Sequence, residues 1–319
     1  MASRNNGAAG AGAALDWLAR NATATLAVGA FGGLLWPALA AALRPALVPL
    51  VFAIVALALA RLDWQALADA ARRPVMAAAS LAFILAGAPV ALALALAALP
   101  LPGEIESAVL LAHMSAPVFA SVAVSMFLGL DAALAVLLAV AAHFLLPFTL
   151  PPIALWLLGL ELSIELLPFM ARLGAFVGGA ALMGLALRRG MGPARLARHG
   201  KRLDGMAVAI FLVFSVAVMD GVTALAADDL GFMLAVLAAS TFFNAVLQAI
   251  GTALFWPLGA KRAMTVGLLA GNRNMALLLA VLGDAEPFRV LVYFAVGQIP
   301  IFVLPWLMAP LYRRLLRRA

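Results

Sequence analysis

Ala263-Met264-Thr265-Val266-Gly267-Leu268-Leu269-Ala270-Gly271-Asn272-Arg273-Asn274-Met275-Ala276-Leu277-Leu278-Leu279-Ala280-Val281-Leu282 is long and apolar enough to cross a bilayer, except for Gly271-Asn272-Arg273-Asn274 at its middle. Charge in a hydrocarbon core has to be solvated by protein, water or a partner. Irregular backbone at that depth is tolerated only where protein buries it or where it lines a polar cavity. The stretch therefore reads as a broken membrane helix, an arrangement that binding sites of secondary transporters use.

The rest of the chain supports a membrane setting. Of its 319 residues 66% are hydrophobic and 11% charged, and the mean hydropathy is +1.12, which leaves too little polar surface for a water-soluble domain of this size. Spans of roughly 20 apolar residues recur between charged or Pro/Gly-rich breaks. They are predicted at 23–42, 46–61, 74–98, 105–128, 132–158, 166–188, 205–226, 231–255, 262–283 and 288–312. The expectation is an all-α membrane protein of ten transmembrane helices, with residues 1–22 a disordered cytoplasmic tail and 313–319 a basic cytoplasmic tail.

Net charge is +7, but most basic residues flank apolar segments, so membrane orientation explains them and nucleic acid is not implied. Arg61, Arg72, Arg73, the cluster from Arg188 to Arg202, Lys261, Arg262 and the C-terminal arginines fall on one side of a ten-span scheme. Glu104, Glu106, Glu161, Glu165, Asp228, Asp229, Asp284 and Glu286 fall on the other. This places both termini in the cytoplasm, in a multi-pass protein of a bacterial inner membrane. Arg44 and Asp131 do not follow the pattern.

An internal repeat organises the spans. Phe144-Leu145-Leu146-Pro147 is echoed 158 residues on by Phe302-Val303-Leu304-Pro305, and each copy has a second proline five residues later, Pro152 and Pro310. The same offset carries Pro117 to position 275, next to the Gly271–Asn274 break. Five spans per half is odd, so the halves, 23–158 and 159–312, are expected to be inverted, with broken helices 4 and 9 crossing. Ser115, Pro117 and Ser121 would then meet Asn272, Arg273 and Asn274 near mid-membrane, where half-helix ends present unpaired N–H and C=O groups to a small solute.

On these residues the chain resembles the bile acid:sodium symporter family, within a superfamily that includes arsenite and auxin-type carriers. The resemblance runs from about Leu26 to Leu311. It is carried by Pro45-Ala46-Leu47-Val48-Pro49-Leu50 with Ala60-Arg61-Leu62-Asp63-Trp64, by Ala116-Pro117 with Gly129-Leu130-Asp131, and by Arg262 through Ala276. It implies ten helices in two inverted repeats, secondary transport by alternating access, and a site residue at Asn272. Where the family has a sodium-binding glutamate this chain has Gly267, and where it has a glutamine, Gly271. In the fourth helix Val118-Phe119 and Ser121-Val122 stand at the family's Gly-Gly and Ser-Asn positions. These departures argue against sodium coupling, and Arg273 would supply the positive charge, holding an anionic solute or acting as a counter-ion to Asp220 or Asp131.

Asn244 and Gln248, spaced i, i+4, are candidate cavity residues or helix-pinning groups. His113, Asp220 and Gln298 are candidates for coupling Na⁺ or H⁺, and His143 is a further candidate proton relay. With no cysteine and only three scattered histidines, neither metal nor other cofactor is expected. No phosphate-binding loop and no convergent catalytic set point to ATP hydrolysis or to an enzyme. The expected partners are a small organic, anionic solute and the bilayer. A sodium symporter with a rearranged ion site and a non-transporting sensor or scaffold are the alternatives.

Overall fold

The computed structural model describes residues 12–62, 65, 68, 72, 74–99, 101–158, 165–282 and 287–318, and every extended element among them is helical. Glu161, Asp284, Glu286, Arg73 and residues 1–11, which entered the orientation and tail expectations, lie outside the described residues. Among the described residues, seven helices are long and apolar enough to cross a membrane: Pro37–Ala60, Pro74–Ala98, Ala132–Leu158, Leu166–Met191, Gly200–Asp228, Leu230–Leu258 and Phe288–Arg317. The distribution of polarity agrees. Leu35 and Val75 are more than four-fifths exposed, whereas among the described residues the largest fully buried side chain is Arg273. That inversion suits a chain whose solvent is lipid. The protein is an integral, multi-pass membrane protein.

The three predicted spans outside these seven differ for a local reason. Residues 103–128 and 260–282 are each divided into two half-helices, Gly103–Met114 with Ala120–Leu128 and Ala260–Gly271 with Met275–Leu282. The first span ends early, at Leu35, because Pro37 has no N–H to continue the ladder, and a new helix starts there. That helix runs through the Arg44-Pro45-Ala46 turn, where sequence reading had placed a loop.

The chain forms two compact units, residues 1–61 with 178–230 and residues 62–177 with 231–319. In the first, helix Gly200–Ala217 packs closely on Ala22–Leu35. A Cβ on Gly33 would lie 2.6 Å from the Val216 carbonyl oxygen, so only glycine allows the backbones to approach this far. Gly184 lies in the same way against Ala56. Gly32 and Gly178 face open space. Leu57, Leu196 and Leu203 form a small core, and Arg188 donates to Ala60 O (3.3 Å) at the end of Leu47–Ala60.

Residues 12–20 are helical, which corrects the disordered reading of residues 1–22 over that stretch. Ala13-Ala14-Leu15 are good helix formers, and Gly205, lacking a Cβ, admits the Leu15 backbone against Gly200–Ala217.

In the second unit, Leu230–Phe255 and Ala260–Gly271 are separated by a short turn at Trp256–Leu258 and by Gly259, whose φ of 95° favours glycine. This hairpin is closed by glycines. Gly251 sits against Gly267, and a Cβ on Gly271 would lie 2.5 Å from the Asn244 carbonyl oxygen. Pro147, Pro151 and Pro152 lie inside Ala132–Leu158 without ending it, and Asp131 caps its start by accepting from the Leu134 N–H (3.0 Å).

Candidate functional site

The two breaks meet. Pro117 and Arg273 form an isolated antiparallel bridge. The Val118 N–H donates to Asn272 O (3.0 Å) and the Asn274 N–H to Ala116 O (2.7 Å), so the hydrogen bonds flank the Pro117–Arg273 pair and do not use its amides. Proline fits that position because no N–H is required of it, and its ring keeps Ala116 out of the helical region. Sequence reading anticipated this encounter, and it brings Ser115, Pro117, Asn272, Arg273 and Asn274 together.

Arg273 is wholly buried, and its hydrogen-bond partners are three backbone carbonyls. Nε donates to Ala270 O (2.7 Å), Nη1 to Ser115 O (3.0 Å) and Nη2 to Ile84 O (2.9 Å). Each carbonyl lacks its usual helical donor. The donor for Ala270 would be the Asn274 N–H, which serves Ala116 instead. Ser115 lies beyond the end of Gly103–Met114. Ile84 lies in a π turn, Phe83–Gly87, where the Ala88 N–H reaches back to Phe83 O and where Pro89 has no N–H at all. The proposed counter-ions are engaged elsewhere. Asp220 pairs with Arg44 (3.3 Å) and Asp131 with Arg262 (3.8 Å), which also gives partners to the two charges that broke the loop-charge pattern.

Asn274 has two roles. Its Oδ1 accepts from the Leu277 N–H (3.2 Å), capping the second half-helix, and its Nδ2 donates to His143 Nε2 (3.1 Å). His143 Nδ1 lies 2.7 Å from Ala139 O, so the ring carries its hydrogen on Nδ1 and accepts at Nε2. Phe119 stacks on it at 4.3 Å. Both ring nitrogens are thus committed, which leaves His143 poorly placed to relay protons.

Asn244 and Gln248 share one face, as their spacing implies, and belong to a directed chain. Tyr312 Oη donates to Gln248 Oε1 (2.7 Å), Gln248 Nε2 to Asn244 Oδ1 (2.6 Å) and Asn244 Nδ2 to Asn272 Oδ1 (3.1 Å). Asn272 Nδ2 lies 3.5 Å from Ile301 O. Tyr312 was missed in sequence, although one of only two tyrosines in so apolar a chain is a signal. Ile84 was missed because the feature that exposes its carbonyl is a helix irregularity.

Ser115 Oγ donates to Ala116 O (3.1 Å). Gln298 Nε2 donates to Phe294 O (3.2 Å), one turn back across Gly297, which separates Phe288–Val296 from Gln298–Arg318. Asp220 belongs to the other compact unit. Among the described residues, Ser121 Oγ, His113 Nε2 and Tyr293 Oη are buried without a hydrogen-bond partner. Buried polar atoms are rarely left so unless water or a ligand serves them. An apolar groove of about 750 Å³, lined by Pro74, Phe83, Leu254 and Leu258 among others, offers hydrocarbon contact only.

At the glutamate position of the resemblance, Gly267 has no room for any side chain, since a Cβ would overlap the Thr252 hydroxyl and the Gln248 carbonyl. No protein-family model matches the chain, and no curated protein matches it.

Proposed function

We propose that the chain is a secondary-active carrier of a small organic anion, working by alternating access without sodium. The observation that carries this reading is the paired break at Pro117 and Arg273, buried inside a membrane protein and bordered by the unsatisfied Ser121 and His113. Two helix N-termini, those of Ala120–Leu128 and Met275–Leu282, open at the breaks and favour negative charge. The opposing carbonyl ends are neutralised by Arg273. The net field therefore favours an anion, with Ser121 as the hydroxyl available to it and Arg273 acting through charge, its N–H groups being turned to carbonyls.

The ten-helix inverted repeat belongs to this proposal. An offset of 158 carries Pro74–Ala98 onto Leu230–Phe255, Gly103–Met114 onto Ala260–Gly271, and Ala132–Leu158 onto Phe288–Arg317, each within a few residues. Two broken and crossing helices at equivalent places support it further. The loop charges favour an orientation with both termini cytoplasmic, and a bacterial inner membrane is the location that belongs to this proposal.

A second reading, a non-transporting scaffold, is favoured by one observation: Arg273, Asn244 and Gln248 all bond to the protein itself. A thermal-shift screen against small organic anions, in Na⁺ and in choline, followed by uptake of any stabilising solute into proteoliposomes, decides between them. Anion stabilisation and uptake that persist in choline are expected of the carrier. Stabilisation by Na⁺ alone would overturn sodium independence, and no solute effect with no uptake would leave the scaffold.

A further inference from the structure

We infer that the carbonyl oxygens of Ile84, Ser115 and Ala270 form a monovalent-cation site, and that its occupant in this chain is the guanidinium of Arg273. Three carbonyls from three separate segments of the chain converge on one buried positive group at 2.7 to 3.0 Å. None of the ion pairs among the described residues includes Arg273. A buried charge without a carboxylate has to be compensated by dipoles, and these carbonyls are well suited to it. Ser115 and Ala270 lie at the C-terminal ends of Gly103–Met114 and Ala260–Gly271, the negative ends of both helix dipoles. Ile84 supplies the third oxygen from a π turn that releases it from its own helix.

Backbone carbonyls at the ends of interrupted membrane helices are the groups with which such proteins hold small cations. Here the cation is covalently tethered by the residue that follows Asn272, so it cannot leave with a transport cycle. The crossing is held together by a permanent charge where a diffusible ion would make that holding conditional. The site itself does not depend on the carrier reading. Its consequence, a carrier whose crossing is assembled with no ion present, does.

The site predicts chemical rescue. Purified Arg273→Ala should unfold at lower temperature than the wild type in choline chloride. It should then be stabilised saturably by millimolar guanidinium, or by one alkali-metal ion over the others at equal ionic strength. The wild type should be indifferent to the same exchanges. An Arg273→Ala protein that responds to no cation, or a wild type stabilised by Na⁺ over choline, would overturn the inference. If Arg273→Ala is recovered only when guanidinium is present during purification, that too supports the site. If it is recovered in no salt, Arg273→Lys and Arg273→Gln decide: the ammonium should hold the thermal midpoint nearer to wild type than the neutral amide, and equal losses would reduce Arg273 to packing. Solute uptake enters none of these readouts, so failure of the carrier reading would leave the site standing; an Arg273→Ala protein indifferent to cations would remove the site alone, whereas a wild type stabilised by Na⁺ would remove sodium independence with it.

Discussion

Pro117 and Arg273 face each other across a two-residue antiparallel bridge whose hydrogen bonds, Val118 N–H to Asn272 O and Asn274 N–H to Ala116 O, both bypass them. This relationship sets what each residue does. Proline can occupy a buried position because its missing N–H has no partner to lose, and arginine can leave the bridge sideways to reach three carbonyls.

Pro117→Ala should therefore destabilise the protein, although alanine is smaller and chemically bland. The new amide hydrogen is placed where the bridge offers no acceptor, and an unsatisfied buried donor costs about 1–3 kcal/mol. Thermal unfolding in detergent measures it. An unchanged midpoint would mean that the two breaks do not pair as described.

Gly267 tests the hairpin between Leu230–Phe255 and Ala260–Gly271. A Cβ there overlaps Thr252 and the Gln248 carbonyl, backbone and side chain together, so Gly267→Ala should cost about 1–3 kcal/mol and Gly267→Glu more, through overpacking. A glutamate at position 267 should thus disrupt folding and not create sodium dependence. A well-folded Gly267→Glu protein stabilised by Na⁺ would contradict the close packing.

Both breaks and their encounter were legible in the sequence because a polar tetrapeptide in an apolar run has few other physical explanations, and a second proline break stood at a matching interval. The three spans that differ from simple hydropathy, at Leu35 and at the two breaks, were blurred because apolar composition continues across a backbone interruption. The partners of Arg273 were not legible. A guanidinium takes carboxylates, solutes or carbonyls equally well in sequence, and the choice was made by Ile84, 189 residues away, through a π turn. The hint available was Gly87 and Pro89 within one span, since a proline leaves a carbonyl of the preceding turn without a donor. Helix at residues 12–20 was hidden by small residues that read as flexible until Gly205 is seen to receive them.

Asp220 was a candidate coupling group and lies in an ion pair with Arg44, both side chains partly exposed (22% and 49%). Pairs of this kind contribute about 0–1 kcal/mol. Asp220→Asn should shift the unfolding midpoint little and leave the pH profile of solute uptake unchanged. A profile that flattens on this substitution would return Asp220 to the coupling machinery.

Asn274 separates capping from side-chain pairing. Asn274→Ser retains a hydroxyl oxygen for the Leu277 N–H but is too short to reach His143 in the same way, whereas Asn274→Ala loses both contacts. The cap alone is worth about 1 kcal/mol. The order of thermal midpoints should be wild type, then Ser, then Ala. Identical midpoints for Ser and Ala would remove the capping role.

Tyr312 tests whether the amide chain acts as one unit. Its hydroxyl orients Gln248, Gln248 orients Asn244, and Asn244 holds the side chain of Asn272 next to the bridge. In Tyr312→Phe the Gln248 carbonyl oxygen loses its donor in a buried place, a loss of about 1–3 kcal/mol, because the amide cannot turn over without breaking its bond to Asn244. Removing the acceptor as well, in Tyr312→Phe with Gln248→Met, replaces that polar pair by apolar groups of similar size but leaves Asn244 Oδ1 unpaired. If the chain is cooperative, the double variant should remain less stable than the wild type, and the two single effects should not add. Unfolding midpoints of the two single variants and the double variant form the cycle. Strict additivity would mean that Tyr312 and Gln248 act independently, and that the orientation of Asn272 owes nothing to the far end of Gln298–Arg318.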